Sequence, residues 1–167
     1  TAWRNAVLDT LEKMQPDVII LGSAATYNFD KSQWVEGSSR VLSRVSKYAK
    51  KVFVIPGTPS LGFDGPGCLA RHISSRGAIS SNACLGRNRT QAVAPVAEFL
   101  QQATERFANV HLVNLNELVC PQGDCNAISS TGIPVFRDSQ HLTDSFVRSQ
   151  IPAIRKEFSR HMELRQH

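Results

Sequence analysis

Asp17-Val18-Ile19-Ile20-Leu21-Gly22 sets four consecutive large aliphatic residues between a carboxylate and a glycine. A short, continuous apolar run of this kind forms a strand buried on both faces of a sheet. Lys51-Val52-Phe53-Val54-Ile55 supplies a second such run, ended by Pro56-Gly57, and Val110-His111-Leu112-Val113 a third. Between them the apolar period changes from that of a strand to that of a helix. Trp3, Val7, Leu11 and Met14 stand at helical spacing until Pro16 stops the pattern, and Val35, Val41, Leu42, Val45 and Tyr48 restore it over 33–48. Residues 91–107 read as a further helix, 115–119 as a helical turn, Ile133-Pro134-Val135-Phe136 as a short extended segment and 146–158 as the last helix.

Helices alternating with strands imply an α/β fold with a parallel sheet covered by helices on both sides. Ligand chemistry on such sheets collects beyond the carboxyl ends of the strands. Two segments are expected there, 22–28 and 137–143. The 167 residues suit one domain with a substantial core, and no repeat or linker divides them, so 1–167 is expected to be a single domain. Residues 58–88, with Gly62, Gly65, Pro66, Gly67, Gly77 and Gly86, read as one long irregular loop, of a length that is usually functional or cross-linked.

The formal charge of +5 favours anionic surroundings, but the basic residues are dispersed. Lys47, Lys50 and Lys51 make only a small cluster, and Arg76, Arg87 and Arg89 lie in a loop without interleaved aromatics. No nucleic-acid partner is expected, because a basic stripe or motif is missing. No apolar run is long enough to span a bilayer. Cys68 and Cys84 bracket a Gly-, Ser- and Asn-rich segment, and Cys120 and Cys125 enclose Pro121-Gln122-Gly123-Asp124. Four cysteines placed in loops point to two disulfides and an oxidising compartment. Three pairings are formally possible, of which 68–84 with 120–125 is the local one. Zinc is the rival, disfavoured by the ligand spacing; no metal and no cofactor are expected.

Phe136-Arg137-Asp138-Ser139-Gln140-His141-Leu142-Thr143 places a carboxylate three residues before an imidazole and just ahead of a helix that Thr143 can cap. Asp138 can then reach one ring nitrogen of His141, fix its tautomer and leave the other nitrogen for a nucleophile. Alone, Asp-x-x-His is a weak signal. Asp144 is a rival acid, with a structural role of its own at a helix start. Ser23 is a rival nucleophile lacking a Gly-x-Ser-x-Gly elbow. His72 and His111 are lone histidines better suited to surface or core roles. Trp34 and Tyr27 have the aromatic faces that suit a sugar ring, though packing is the commoner use. Arg137 can pair with Asp138 or meet an anionic substrate.

These pieces, taken in order, resemble the SGNH domain fused to acyltransferase-3 type membrane proteins, which O-acetylate bacterial surface polysaccharides. The resemblance runs through Gln15-Pro16-Asp17-Val18-Ile19-Ile20-Leu21, Lys51-Val52-Phe53-Val54-Ile55 with Pro59, the cysteine-bearing loop, Leu118-Val119-Cys120-Pro121 to Cys125, and the 136–143 block. It implies a flavodoxin-like three-layer sandwich and a Ser-His-Asp triad whose His and Asp fall on His141 and Asp138. The family's nucleophile lies in a Gly-Asp-Ser sequence after its first strand. This chain holds no Gly-Asp-Ser, since Gly123-Asp124 is followed by Cys125. The first strand and the serine are therefore expected upstream of Thr1. The family's oxyanion block, Gly-x-Asn-Asp, corresponds to Gly22-Ser23-Ala24-Ala25, which leaves backbone donors at Gly22 and Ser23, or Asn28, to line that site.

The resemblance further implies a periplasmic or extracellular O-acyltransferase domain tethered through a membrane domain. Its partners would be an acyl donor delivered by a membrane-embedded acyltransferase domain and a carbohydrate acceptor. A carbohydrate or lipid esterase of the same fold is the alternative enzyme, and a non-catalytic glycan-binding module the alternative of another class.

Overall fold

The computed structural model describes residues 2–76 and 83–162. They form two compact units, one within residues 2–57 and 95–114, the other within 58–76, 83–94 and 115–162.

The first unit carries the sheet. Strands β1 (Val18–Gly22), β2 (Lys51–Ile55) and β4 (Val110–Leu112) lie in the order β1-β2-β4. All are parallel, with Ile20 opposite Phe53 and Val54 opposite Leu112. Helices α1 (Ala2–Met14), α2 (Lys31–Val45) and α4 (Ala94–Thr104) supply the core that covers one face of this sheet. Leu8, Trp34, Leu42, Val45, Leu100 and Ala103 pack there on Ile19, Val52, Val54 and Val110. Local chemistry sets the helix ends. At α2, Asp30 Oδ1 accepts the Gln33 N–H at 2.8 Å while Gln33 Oε1 accepts the Asp30 N–H at 3.0 Å, a reciprocal cap. At the end of α1, Gln15 takes a φ of 45°, because the following Pro16 disfavours a helical residue before it.

The second unit is built around the two disulfides. Helix α3 (Gly65–Arg76), the two-residue strands β3 (Leu85–Gly86) and β5 (Cys125–Asn126), α5 (Asn116–Val119), α6 (Asp144–Ser149) and α7 (Ile151–Met162) enclose a separate core. Leu61, Leu69, Val119, Ala127, Val135, Phe136 and Phe146 are buried in it with Cys84, Cys120 and Cys125. Cys68 bonds Cys84 and Cys120 bonds Cys125, the local pairing. The sulfurs of Cys68 and Cys84 do lie near the His72 ring, with all three ligand atoms within 4.8 Å, but each thiol is consumed by the other.

Four expectations change. Among the described residues β1 is an edge strand, so its run is not buried on both faces: Ile19 is covered, whereas Val18 and Ile20 are exposed, Ile20 by 57%. The helical stripe of α1 is likewise only part-used, with Leu8 buried and Trp3 77% exposed. The irregular stretch 58–88 contains α3, since Gly65-Pro66 begins a helix that the glycines had seemed to exclude, and Arg76 ends that helix instead of lying in a loop. Its residues 77–82, Gly77 among them, fall outside the described residues. The last helix is two, α6 closing at Gln150 and α7 carrying Pro152 in its first turn, where a missing N–H costs nothing.

The Cys68–Cys84 bond closes a sequence separation of 16 residues. Replacing both by serine should lower the unfolding free energy by about 3 kcal/mol on chain-entropy grounds, read as a lower urea midpoint at unchanged slope.

Candidate active site

The loop 137–141 is held at both ends and at its tip. Phe136, fully buried, and Leu142 form a bridge, and the Arg137 N–H donates to the His141 carbonyl at 2.9 Å. Leu61, itself buried, donates its N–H to the Ser139 carbonyl at 2.8 Å. The preceding residue is held in turn: the Arg89 guanidinium donates to the Ser60 carbonyl at 2.9 Å and to its hydroxyl at 3.1 Å. Thr143 caps α6, its Oγ1 accepting the Phe146 N–H at 3.1 Å.

Within this frame Asp138 makes three short bonds. Its Oδ1 accepts the N–H groups of Gln140 and His141, both at 2.7 Å, and its Oδ2 lies 2.7 Å from His141 Nδ1. The two backbone donors, first that of His141 and then that of Gln140, hold the carboxyl well below its ordinary value, at about 2, with the His141 side chain adding to the effect. An ionised acceptor on Nδ1 requires that nitrogen to carry the proton. In the neutral ring Nε2 then bears the lone pair and can accept a proton from a hydroxyl. The His141 side chain is 65% exposed, which leaves the ring open to an incoming group. Arg137 Nε stands 3.9 Å from Asp138 Oδ2, a loose ion pair. Asp144 takes a different partner, Arg148 at 2.7 Å.

Gly22 and Ser23 are in the other unit, at the carboxyl end of β1. The Ser23 N–H donates to the Ile55 carbonyl at 3.0 Å, extending the ladder one residue past the strand. Both residues line a cavity of about 510 Å³ with Arg4, Phe29, Trp34 and Arg40. Gly57 fixes the loop that follows. A Cβ there would stand 2.6 Å from the Ala25 nitrogen and 3.0 Å from the Ser23 carbonyl, so only glycine permits the approach. Trp34 is buried in the core of this unit, and Phe29 stacks edge-on against it at 5.6 Å. Tyr27 is exposed and lies flat on Phe29, also at 5.6 Å. Asn28 is exposed. His111 packs beside Phe53 within the sheet, 3.5 Å from Lys51 Nζ.

The sequence reading named His141, Asp138, Gly22 and Ser23 but missed Leu61, Arg89 and Gly57. The first two act through bonds between residues far apart in sequence, which no local pattern carries. Gly57 was visible only as a strand stop.

Residues 1–156 match the family described as the SGNH domain fused to AT3 domains. The chain belongs to this SGNH domain family. Among solved structures, the periplasmic domain of a lipopolysaccharide acetyltransferase from Salmonella ser. Paratyphi A matches with a TM-score of 0.66 and 14% identity. The match covers 89% of this SGNH domain chain and 60% of that chain, so the chain spans about three-fifths of the neighbour's length. At that identity the likeness establishes the fold. No curated protein matches the chain.

Two measurements test this geometry. Asp138 has a depressed folded value, so its contribution to the SGNH domain's stability is complete above the unfolded carboxylate value of about 3.9 and is lost as the pH falls towards about 2. The difference in melting temperature between the wild type and Asp138→Asn should therefore shrink across that window and stay constant above it. Gly57→Ala should cost about 1–3 kcal/mol through forced displacement of the 23–25 backbone, with amide shift changes concentrated at Ser23, Ala24 and Ala25.

Proposed function

We propose that this SGNH domain serves an extracytoplasmic O-acyltransferase, most simply an O-acetyltransferase acting on a cell-surface carbohydrate. The observation that carries the reading is the 2.7 Å contact from Asp138 Oδ2 to His141 Nδ1, on a carboxylate kept ionised by two backbone donors. Membership of a family fused to AT3 domains supplies the context. The two disulfides suit an oxidising compartment such as the periplasm, and the solved neighbour is itself a periplasmic domain of an acetyltransferase.

In this reading a serine outside the chain is the nucleophile. His141 Nε2 takes its proton as the hydroxyl attacks the acyl carbonyl, and Asp138 stabilises the imidazolium that results. The proton then passes to the departing donor group. In the second half-reaction His141 removes a proton from the carbohydrate hydroxyl and returns one to the serine oxygen as the acyl–serine bond breaks. The Gly22 N–H is assigned to the oxyanion, since that of Ser23 is taken by the Ile55 carbonyl. The AT3 membrane domain of the parent protein delivers the acyl group. Residues 1–167 form one functional domain in this scheme.

A second reading, an esterase of the same fold, draws on the openness of the His141 ring, since water can reach a base that is 65% exposed. The two differ in acceptor and not in machinery.

In the intact parent protein, His141→Ala should reduce acyl transfer to polysaccharide by on the order of 10³–10⁴ or more, and Asp138→Asn by a comparable factor. Transfer is read as acetyl ester on the polymer by NMR, and release of free acetate measures the esterase outcome. Undiminished transfer in His141→Ala would remove the imidazole from the mechanism.

A further inference from the structure

Within the second unit, one cation far from the loop 137–141 in sequence bears on how that loop is held. Arg89 is half-buried, and its guanidinium donates to two oxygens of a single residue, the Ser60 carbonyl at 2.9 Å and the Ser60 hydroxyl at 3.1 Å. Both acceptors are neutral. A cation taken partly out of water recovers less from neutral oxygens than from a carboxylate, so stability alone is a poor reason for the arrangement. What the guanidinium supplies is geometry: its planar fork fixes two acceptors at once, which a lysine ammonium does not.

The surroundings are shaped to this side chain. A Cβ at Gly62 would stand 2.5 Å from a guanidinium nitrogen, and one at Gly86 would stand 3.1 Å from the Arg89 Cγ and 2.7 Å from the Leu61 carbonyl oxygen. Two glycines thus leave open the channel in which the arginine lies. Its backbone is fixed as well. The Asn88 N–H donates to Asp124 Oδ1 at 2.8 Å, and Asp124 sits inside the loop closed by Cys120 and Cys125. Gly86 pairs with Cys125 between β3 and β5. Arg89 therefore starts from the disulfide-braced part of the unit and reaches across to Ser60.

We propose that Arg89 is a positioning residue for His141, acting through the peptide group between Ser60 and Leu61. The Ser60 carbonyl and the Leu61 N–H belong to one planar unit. Arg89 grips the oxygen of that plane, and its N–H donates to the Ser139 carbonyl at 2.8 Å. Turning the plane would break both bonds together, and a cation on the carbonyl polarises the group and strengthens its N–H as a donor. Ser139 lies between Asp138 and Gln140, whose N–H meets Asp138 Oδ1 at 2.7 Å, so the grip on Ser139 fixes the turn that aims the carboxylate at the imidazole. The catalytic consequence rests on the acyltransferase reading of His141; the hold on the loop does not.

The test uses the intact parent protein, with p-nitrophenyl acetate as the probe of turnover and hydrogen exchange read by mass spectrometry as the probe of the loop. In Arg89→Ala the amides of Gln140 and His141, both bonded to Asp138, should exchange faster while those of β2 keep their rates. Its kcat should fall on the order of a hundredfold at unchanged KM, the cost of moving a reacting group by about an ångström. Arg89→Lys keeps the charge and loses the fork, and should show both changes at smaller size. If Arg89→Ala does not fold, β2 exchanges fast as well, and Arg89→Lys decides by the same two readouts. Unchanged exchange at Gln140 and His141 in the folded variant overturns the proposal, whether or not kcat falls. So does unchanged kcat in a protein that His141→Ala inactivates. Wild-type turnover in His141→Ala instead removes the acyltransferase reading, while faster exchange at the two amides in Arg89→Ala still assigns the loop's position to Arg89.

Discussion

One carboxylate organises the candidate site. Asp138 uses one oxygen to accept two backbone N–H groups and the other to meet the imidazole, so the same residue shapes the loop and sets the proton on His141 Nδ1. The two functions cannot be separated by substitution at this position. An asparagine keeps an oxygen for one side of the loop but offers an amide N–H on the other, which turns the ring over or leaves two donors facing each other. Because the pair is exposed, its geometry depends on what holds the backbone rather than on burial of the charges. The bonds from Arg137 N–H to the His141 carbonyl and from Leu61 N–H to the Ser139 carbonyl serve that purpose, anchored by the buried Phe136 and Leu61 side chains.

The second unit is therefore a scaffold for one short loop, and its cysteines belong to that scaffold. Cys84, Cys120 and Cys125 are buried in the same cluster as Phe136 and Leu61. The strand pairs available to this unit are very short, Leu85–Gly86 with Cys125–Asn126. Two covalent links supply the order that so little sheet cannot. From there the ladder passes outward by single bonds, Ala127 N–H to the Cys84 carbonyl, Val135 N–H to Ala127 and Thr143 N–H to Val135, each between 2.9 and 3.0 Å. The disulfide at Cys84 is thus linked by backbone bonds to the residue that caps α6, two positions beyond His141.

Much of this was legible from residue order. The three strands of the parallel sheet, the helices around them, the local cysteine pairing and the Asp138–His141 contact all follow from local patterns: apolar runs, helical spacing, loop composition and an i, i+3 acid and imidazole. Errors fell where local pattern and tertiary setting disagree. Ile20 reads the same in a central strand as at an edge, because the sequence of β1 does not contain its neighbour. Gly65-Pro66-Gly67 looks like a turn by composition, yet Pro66 suits a helix start and α3 runs from there. The boundary of α2 could have been found from Asp30 and Gln33, a capping pair three residues apart. The supports from Leu61 and Arg89 could not, since they are contacts across long separations.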